Sequence, residues 1–114
     1  MCEMEMKIKA TSPCAKFYKT ELGVQVEKIM EEVEEVRDAL YIFQQAGKGK
    51  NVEAIEAAAI DLLVELYDVV ACTNTMFSQL KFRYPNYFDH EAFVRAEVSV
   101  INKNMARGYY ATEE

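Results

Sequence analysis

Three carboxylates are notable in residues 57–72, the most apolar stretch of the chain, because no basic residue accompanies them. They are Asp61, Glu65 and Asp68, separated by four and three positions. On a helix that turns about 100° per residue, they lie within roughly 60° of one another. Like charges at this spacing repel, and burying an uncompensated carboxylate is costly. The stripe therefore predicts a cation site, with a solvent-facing acidic surface as the alternative.

A run of glutamates earlier in the chain offers a second set of carboxylates. Glu31, Glu32 and Glu35 stand in the stretch IMEEVEEVRDAL, where Glu32 and Glu35 flank an apolar seam. Glu65 and Asp68 flank a later seam in the same two positions. Antiparallel packing of the two seams would bring four carboxylates to one level, and such hard oxygen ligands suit Mg²⁺ or Mn²⁺. For the glutamate run alone, a solvated helix face is the alternative.

The residue types do not support other metal or nucleophile chemistries. A ferritin-like di-iron site uses Glu-x-x-His pairs, and the single histidine, His90, has no acidic residue three positions before it. Zinc needs a cluster of Cys or His, and Cys2, Cys14 and Cys72 lack that spacing. One histidine also leaves no recognisable triad for a serine or cysteine nucleophile. We expect the thiols to be reduced, as in a cytosolic protein.

Two cations near the end of the chain can be read in two ways. Lys103 and Arg107 are four residues apart and therefore share one face of a predicted helix near its C-terminus. There they can interact favourably with the helix dipole. Alternatively, they can hold phosphate oxygens, the arginine by its planar fork and the lysine as a point charge. Next to an acidic metal cluster, both readings stay open.

Helices are expected to position these groups, because the chain has only four Gly and two Pro at which to turn. Ser12 and Pro13 match an N-cap followed by proline at the first helical position. A seam with alternating steps of four and three residues then indicates a coiled-coil-like helix, and Gly47 suits the left-handed position after its end. The seam residues are Leu22, Val26, Ile29, Val33, Val36, Leu40 and Phe43.

A second helix is predicted to follow a cap at Asn51. Its seam has the same alternation, and a second apolar row on another face is typical of a central helix. The seam comprises Ile55, Ala59, Leu62, Leu66, Val69, Thr73, Met76 and Leu80, and the second row comprises Leu63, Val70 and Phe77 with Tyr67 beside it. After a connection over residues 81–88, Asp89 is expected to cap a third helix that stops at Gly108. The third seam is Val94, Val98, Ile101 and Met105.

The predicted fold is all-α, a bundle of three to four helices that assembles with partner chains into a larger bundle. A single domain is expected over residues 13–110, with an extended or mobile lead-in at 1–12 and a tail at 111–114. A chain of 114 residues with 51 % hydrophobic and 28 % charged residues fits one small globular domain. Such a domain is marginal alone, and the two apolar faces of the second helix favour a homodimer or homotetramer.

The net charge and the absence of targeting patterns narrow the partners. A net charge of −6 disfavours a nucleic-acid polymer, which is bound by neutralising its phosphates. A phosphorylated small molecule is compatible with this charge if a metal ion bridges the like charges. No signal peptide or membrane span is recognised. A cytoplasmic location without membrane contact is therefore expected.

The combined pattern Glu31-Glu32-x-x-Glu35, Glu65-x-x-Asp68 and Lys103-x-x-x-Arg107 resembles the MazG-like all-α nucleoside triphosphate pyrophosphohydrolases, over about residues 20–110. The resemblance implies that water splits the α–β phosphate bond with the help of Mg²⁺, giving a nucleoside monophosphate and pyrophosphate. It also implies assembly into dimers or tetramers.

The same resemblance implies a role for each residue of the pattern. The metal ligands would be Glu32, Glu35, Glu65 and Asp68. Glu31 would be a further ligand or the base that orients the water, so that Glu31 and Glu32 are the catalytic candidates. Lys103 and Arg107 would hold the phosphates of the substrate.

Two alternatives to this function remain open. Related activities are a phosphoribosyl-ATP pyrophosphohydrolase and a dimeric dUTPase-like enzyme. A different class is a non-catalytic helical interaction module whose acidic residues are simply solvated.

Overall fold

The computed structural model describes residues 8–110, and the elements in this range are helical. A short 3-10 turn, Ala15–Phe17, precedes three α-helices, α1 (Leu22–Gly47), α2 (Val52–Arg83) and α3 (His90–Ala106). No strand occurs within the described range. The prediction of an all-α chain is confirmed. The predicted tail at 111–114 and the first seven residues of the lead-in lie outside the described residues.

The chain forms two compact units, Met1–Gln79 and Leu80–Glu114. The first unit contains α1 and most of α2, and the second contains the end of α2 and all of α3. All the acidic candidates of the sequence pattern belong to the first unit.

Two of the predicted helix caps are confirmed by side-chain hydrogen bonds. The backbone N–H of Ala54 donates to Asn51 Oδ1 at 3.1 Å, and that of Ala92 donates to Asp89 Oδ1 at 2.9 Å. A side-chain cap of this kind satisfies one of the N–H groups that the first turn of a helix leaves without an intrahelical partner. A single capping residue was therefore enough to predict where α2 and α3 each begin.

The predicted start of the first helix at Ser12 and Pro13 is wrong. The hydroxyl of Ser12 instead accepts a hydrogen bond from the N–H of Lys9 at 2.9 Å, within a turn. The helix begins at Leu22, after an extended Glu21 that makes no side-chain cap. The cap-like dipeptide thus serves a local turn, which competes with helix initiation for the same serine.

The predicted left-handed position at Gly47 is also wrong. Gly47 is the last residue of α1, and the one positive φ in the described part of the chain is 71°, at Gly108. Gly108 ends α3 as predicted, with its N–H donating to the carbonyl of Met105 at 3.0 Å. Helix α2 also continues to Arg83, into the segment predicted as a connection.

Helices α1 and α2 form an antiparallel hairpin within the first unit. Gln25 Nε2 donates to the carbonyl of Cys72 at 2.9 Å, and Glu32 lies beside Glu65. Ala39 and Ala58 line the same cavity. Each advance of seven residues along α1 is therefore matched by a return of seven along α2. The hairpin is therefore built in layers of one residue from each helix. We call the middle layer, Glu32 and Glu65 with the neighbouring Asp68, the acidic layer.

The face of α1 that packs in this hairpin differs from the predicted seam. Gln25, Glu32 and Ala39 are buried, and they alternate with the half-buried residues Leu22, Ile29, Val36 and Phe43. The predicted seam members Val26, Val33 and Leu40 are instead 42 %, 44 % and 41 % exposed. The period of the pattern is correct, but the buried face is rotated towards polar and small residues.

Hydrogen bonds fasten the segment before α1 onto α2. Asn74 Nδ2 donates to the carbonyl of Thr11 at 2.7 Å, and the N–H of Cys14 donates to Thr75 Oγ1 at 2.9 Å. Gln79, whose side chain is fully buried, donates to the carbonyl of Phe17 at 2.7 Å. These polar contacts explain why α2 buries Thr75 and Gln79 instead of apolar residues.

The second unit is held by aromatic contacts near the start of α3. The rings of Tyr84 and Phe88 are 6.3 Å apart, and Lys81 Nζ lies 5.6 Å from the centre of the Phe93 ring. No residue of α3 is buried. No helix in the described part of the chain is both long enough and apolar enough to cross a membrane.

Candidate metal centre

Three of the four predicted metal ligands meet in the acidic layer of the hairpin. One carboxylate oxygen each from Glu32, Glu65 and Asp68 lies within 4.8 Å of the other two. Glu32 comes from α1, and the other two stand about one turn apart on α2. The antiparallel register brings the two helices together at this level. Carboxylates from two helices at such separations can share one cation.

Burial makes this group unlike an ordinary acidic surface. Glu32 is only 6 % exposed, because its position on α1 faces α2. The Oε2 atoms of Glu32 and Glu65 are both buried and have no hydrogen-bond partner among residues 8–110. Buried polar atoms are normally paired, and an unpaired buried carboxylate is especially costly. The residues present therefore fit a divalent cation, which would satisfy both oxygens at once.

Glu35, the fourth predicted ligand, is exposed and lines a cavity together with Glu65. A hydrogen bond with Glu32, a second one with Glu65 and the negative charges of both raise its pKa to about 7. Such bonds between carboxyl groups require a proton, which Glu35 carries in its neutral form. Glu35 therefore binds a proton more strongly than an isolated glutamate does.

A lysine outside the predicted site, Lys28, also reaches the acidic layer. Lys28 Nζ lies 3.0 Å from Glu32 Oε1. The hydrogen bond to Glu32 and its negative charge raise the pKa of the lysine. The signal was present in the sequence, because Lys28 precedes Glu32 by four residues and therefore shares its helix face. One ammonium group cannot balance the three converging carboxylates, so the described residues supply too little positive charge to the layer.

The structure does not bring Glu31 into this group. Its side chain is exposed on α1, and the three converging carboxylates do not include it. Its role as a ligand or as a base that orients water stays a prediction.

Lys103 and Arg107 belong to the second unit, in the last turn of α3 and at its C-cap. Both are exposed. The guanidinium carbon of Arg107 lies 5.8 Å from the centre of the Tyr109 ring, a contact that stabilises a cation. Their predicted role as phosphate-binding residues remains a prediction.

A cavity of about 290 Å³ adjoins the acidic layer on the side of the hairpin turn. Its lining includes the buried alanines Ala39 and Ala58. Its acidic members are Glu35, Asp38, Asp61 and Glu65. Asp61 belongs to the predicted stripe. Asp38 lies outside the predicted site, although it stands about one turn after Glu35 on α1.

Cys72 lies in the layer on the other side of the acidic group. Burial and the negative charge of Glu32 both raise the pKa of its thiol, which disfavours the thiolate form needed for metal binding. Cys14 and Cys72 do not form a disulfide. The thiols of Cys14 and Cys72 are therefore not candidate ligands of the acidic site.

Comparisons with protein-family models, with curated proteins and with solved structures found no match for this chain. The resemblance to MazG-like enzymes stays a prediction that rests on the residues named above.

Proposed function

We propose that this chain is a Mg²⁺-dependent nucleoside triphosphate pyrophosphohydrolase of the MazG-like class. The observation that carries this proposal is the acidic layer, in which the buried Oε2 atoms of Glu32 and Glu65 lack any partner. The reaction would add water across the α–β phosphate bond, giving a nucleoside monophosphate and pyrophosphate. Mn²⁺ could replace Mg²⁺, because both prefer oxygen ligands.

Each carboxylate has a defined task in this proposal. Glu32, Glu65 and Asp68 would hold the cation, and Glu35 in its ionised form would add a fourth carboxylate. When bound, Mg²⁺ supplies positive charge that stabilises the phosphate oxygens and makes water a better nucleophile. Glu31 would be a further ligand, or it would orient the attacking water and accept its proton. The α–β bond breaks as the oxygen of the water binds phosphorus, and pyrophosphate leaves.

Substrate binding is assigned to Lys103 and Arg107, as the resemblance implies. Both are exposed at the end of α3, and Arg107 has the planar geometry that suits phosphate. The preferred nucleobase is open, and phosphoribosyl-ATP or dUTP are related substrates. A cytoplasmic location fits the unpaired thiols of Cys14 and Cys72.

We further propose that the protein is a homodimer or homotetramer. In the single chain, α2 exposes the whole second apolar row, with Leu63 at 50 %, Val70 at 43 % and Phe77 at 45 %. Val33 and Leu40 of α1 are exposed to a similar extent. Apolar surface on this scale usually marks an interface.

A second candidate function is a non-catalytic helical interaction module. The observation that favours it is the ion pair between Lys28 and Glu32, which neutralises part of the acidic layer without any metal. In that case the exposed apolar residues would bind a partner, and the carboxylates would have no ligand.

The two candidates are separated by an assay of wild-type protein against a panel of nucleoside triphosphates, phosphoribosyl-ATP and dUTP. Pyrophosphate release is measured with Mg²⁺ and again with excess EDTA. We expect release from at least one nucleotide, abolished by EDTA. The enzymatic proposal would be overturned if no member of the panel released pyrophosphate with either Mg²⁺ or Mn²⁺.

A further inference from the structure

Lys28 lies at the solvent-exposed edge of the acidic layer, and it contacts only one of the two carboxylate oxygens of Glu32. One oxygen, Oε1, lies 3.0 Å from Lys28 Nζ. The other, Oε2, is buried and unpartnered. The Glu32 side chain is 8 % exposed, whereas that of Lys28 is 51 % exposed. The ammonium group thus approaches a buried carboxylate from the solvent side.

This ion pair is of a kind that is easily exchanged. The lysine precedes the glutamate by four residues, which is the less favourable order along a helix. The stem of Lys28 is flexible and half in solvent. Because a buried Glu32 without any partner is costly, the ammonium would be exchanged for another cation and not simply lost. A divalent cation carries twice the charge and can contact both oxygens of Glu32. It would therefore displace the ammonium.

Once displaced, the ammonium remains close to whatever the cation binds. Lys28 and Glu32 lie one turn apart on α1, so the lysine cannot leave the rim of the site. Lysine is a point charge that binds phosphate oxygens without a fixed direction. A polyphosphate bound at this layer would thus meet a cation belonging to the same helix as Glu32.

We propose that Lys28 is a built-in counter-ion of the acidic layer that exchanges partners. It holds Glu32 while no divalent cation is present, and it contacts a phosphate group of the ligand once the cation takes Glu32. This inference rests on the proposed function, because the ligand it assumes is a polyphosphate. It adds a cation in the first unit to the predicted Lys103 and Arg107, which lie in the second.

The test uses Lys28→Gln, which removes the charge at nearly constant length, and Lys28→Arg, which keeps the charge. The matched control is Arg37→Gln, which removes a cation from the same helix. Arg37 pairs at 3.5 Å with Glu34, and both side chains are mostly exposed. The control therefore changes the net charge by the same amount as Lys28→Gln without touching the acidic layer.

The first measurement is calorimetric titration of Mg²⁺ and Mn²⁺ into each full-length protein without nucleotide. Lys28→Gln should bind the metal about two- to fivefold more tightly than Arg37→Gln, because it has lost the competitor for Glu32. Circular dichroism confirms that each variant is folded. Equal metal affinities in these two variants would overturn the exchange.

The second measurement is binding of inorganic pyrophosphate at saturating Mg²⁺. Its affinity should fall by about tenfold in Lys28→Gln and change little in Lys28→Arg, because a charge-assisted contact is lost only in the first. An unchanged affinity in Lys28→Gln would contradict the phosphate contact. Neither measurement needs turnover, so a wild type that binds metal but cleaves no nucleotide refutes the enzyme alone. A wild type that binds no metal refutes both proposals.

Discussion

At the scale of single residues, the proposed metal centre depends on what offsets the electrostatic repulsion among its four carboxyl groups. Glu32 brings the largest burial and Asp68 the largest exposure among the three converging ligands. Lys28 and the proton of Glu35 supply the only positive charge that we identify for this group in the described part of the chain. Both are replaceable, which is what a site that binds and releases a cation requires.

Glu35 gives the protein a pH dependence with a definite sign. Its pKa is raised from 4.5 to about 7 in the folded protein, so the folded state binds this proton more strongly than the unfolded state does. The metal-free protein should therefore lose stability as pH rises from about 4.5 to about 7, and the contribution is absent above that range. Melting temperatures in EDTA from pH 4.5 to 8 test this.

Glu35→Gln should flatten this dependence, because its amide does not titrate. Glu34→Gln is the control, since Glu34 lies on an exposed part of α1. Mg²⁺ should raise the melting temperature of wild type more at pH 8 than at pH 5, because the proton competes with the cation. Parallel melting curves for wild type and Glu35→Gln across the range would show that Glu35 does not hold this proton.

At the scale of the elements, the sequence predicted the spacing of the inward-facing residues of α1 but not which face of the helix packs inward. Alternating steps of three and four residues are present on α1, where the buried Gln25 and Glu32 stand between the half-buried Leu22, Ile29 and Val36. An apolar pattern points to Val33 as the next inward residue, yet Glu32 is buried and Val33 is 44 % exposed. Hydrophobicity alone cannot predict a buried glutamate, because its burial depends on the register of α1 against α2 and on the ion pair with Lys28.

The caps show which element boundaries the sequence can and cannot specify. Asn51 and Asp89 act through hydrogen bonds three residues away, and so they were predictable locally. Ser12 has the same local signal, but the segment around it is fastened to α2 by contacts more than sixty positions away in sequence, such as Cys14 to Thr75. No local rule contains that information.

The alanine layer next to the acidic layer sets how closely α1 and α2 approach. Ala58→Leu would place a larger side chain where the residue is 6 % exposed. Overpacking of this kind should destabilise the fold by about 1–3 kcal/mol. It should also weaken Mg²⁺ binding, because the helices that carry Glu32 and Glu65 would be pushed apart.

Ala57→Leu provides the matched comparison for that experiment, since Ala57 is exposed on the same helix. Denaturant unfolding and metal titration of both variants measure the two effects. If Ala58→Leu bound Mg²⁺ as tightly as Ala57→Leu, the spacing of the helices would not control the site.

At the scale of the whole molecule, the exposed apolar rows predict self-association. Two copies could cover Leu63, Val70 and Phe77 by placing their α2 helices together, as helices do in larger bundles. Light scattering at micromolar concentration should give at least twice the 13.1 kDa mass of the chain. Val70→Glu should shift the protein towards the monomer, because it would bury a charge in that interface.

A matched charge reversal elsewhere on α2, Glu53→Lys, should leave the mass unchanged, because Glu53 is exposed and does not share the seven-residue spacing of Leu63, Val70 and Phe77. A wild-type mass of 13.1 kDa would show that the single chain tolerates its exposed apolar surface.

The most direct test of the account as a whole is Mg²⁺-dependent pyrophosphate release by wild type, Glu65→Gln and Glu56→Gln. Glu65→Gln keeps the shape of the side chain but removes one ligand charge from the acidic layer, and Glu56→Gln makes the same change on an exposed turn of α2. With the preferred nucleotide of the panel, we predict that Glu65→Gln loses activity by orders of magnitude while Glu56→Gln stays near wild type. Full activity in Glu65→Gln would contradict the account, because the reaction would then take place away from these carboxylates.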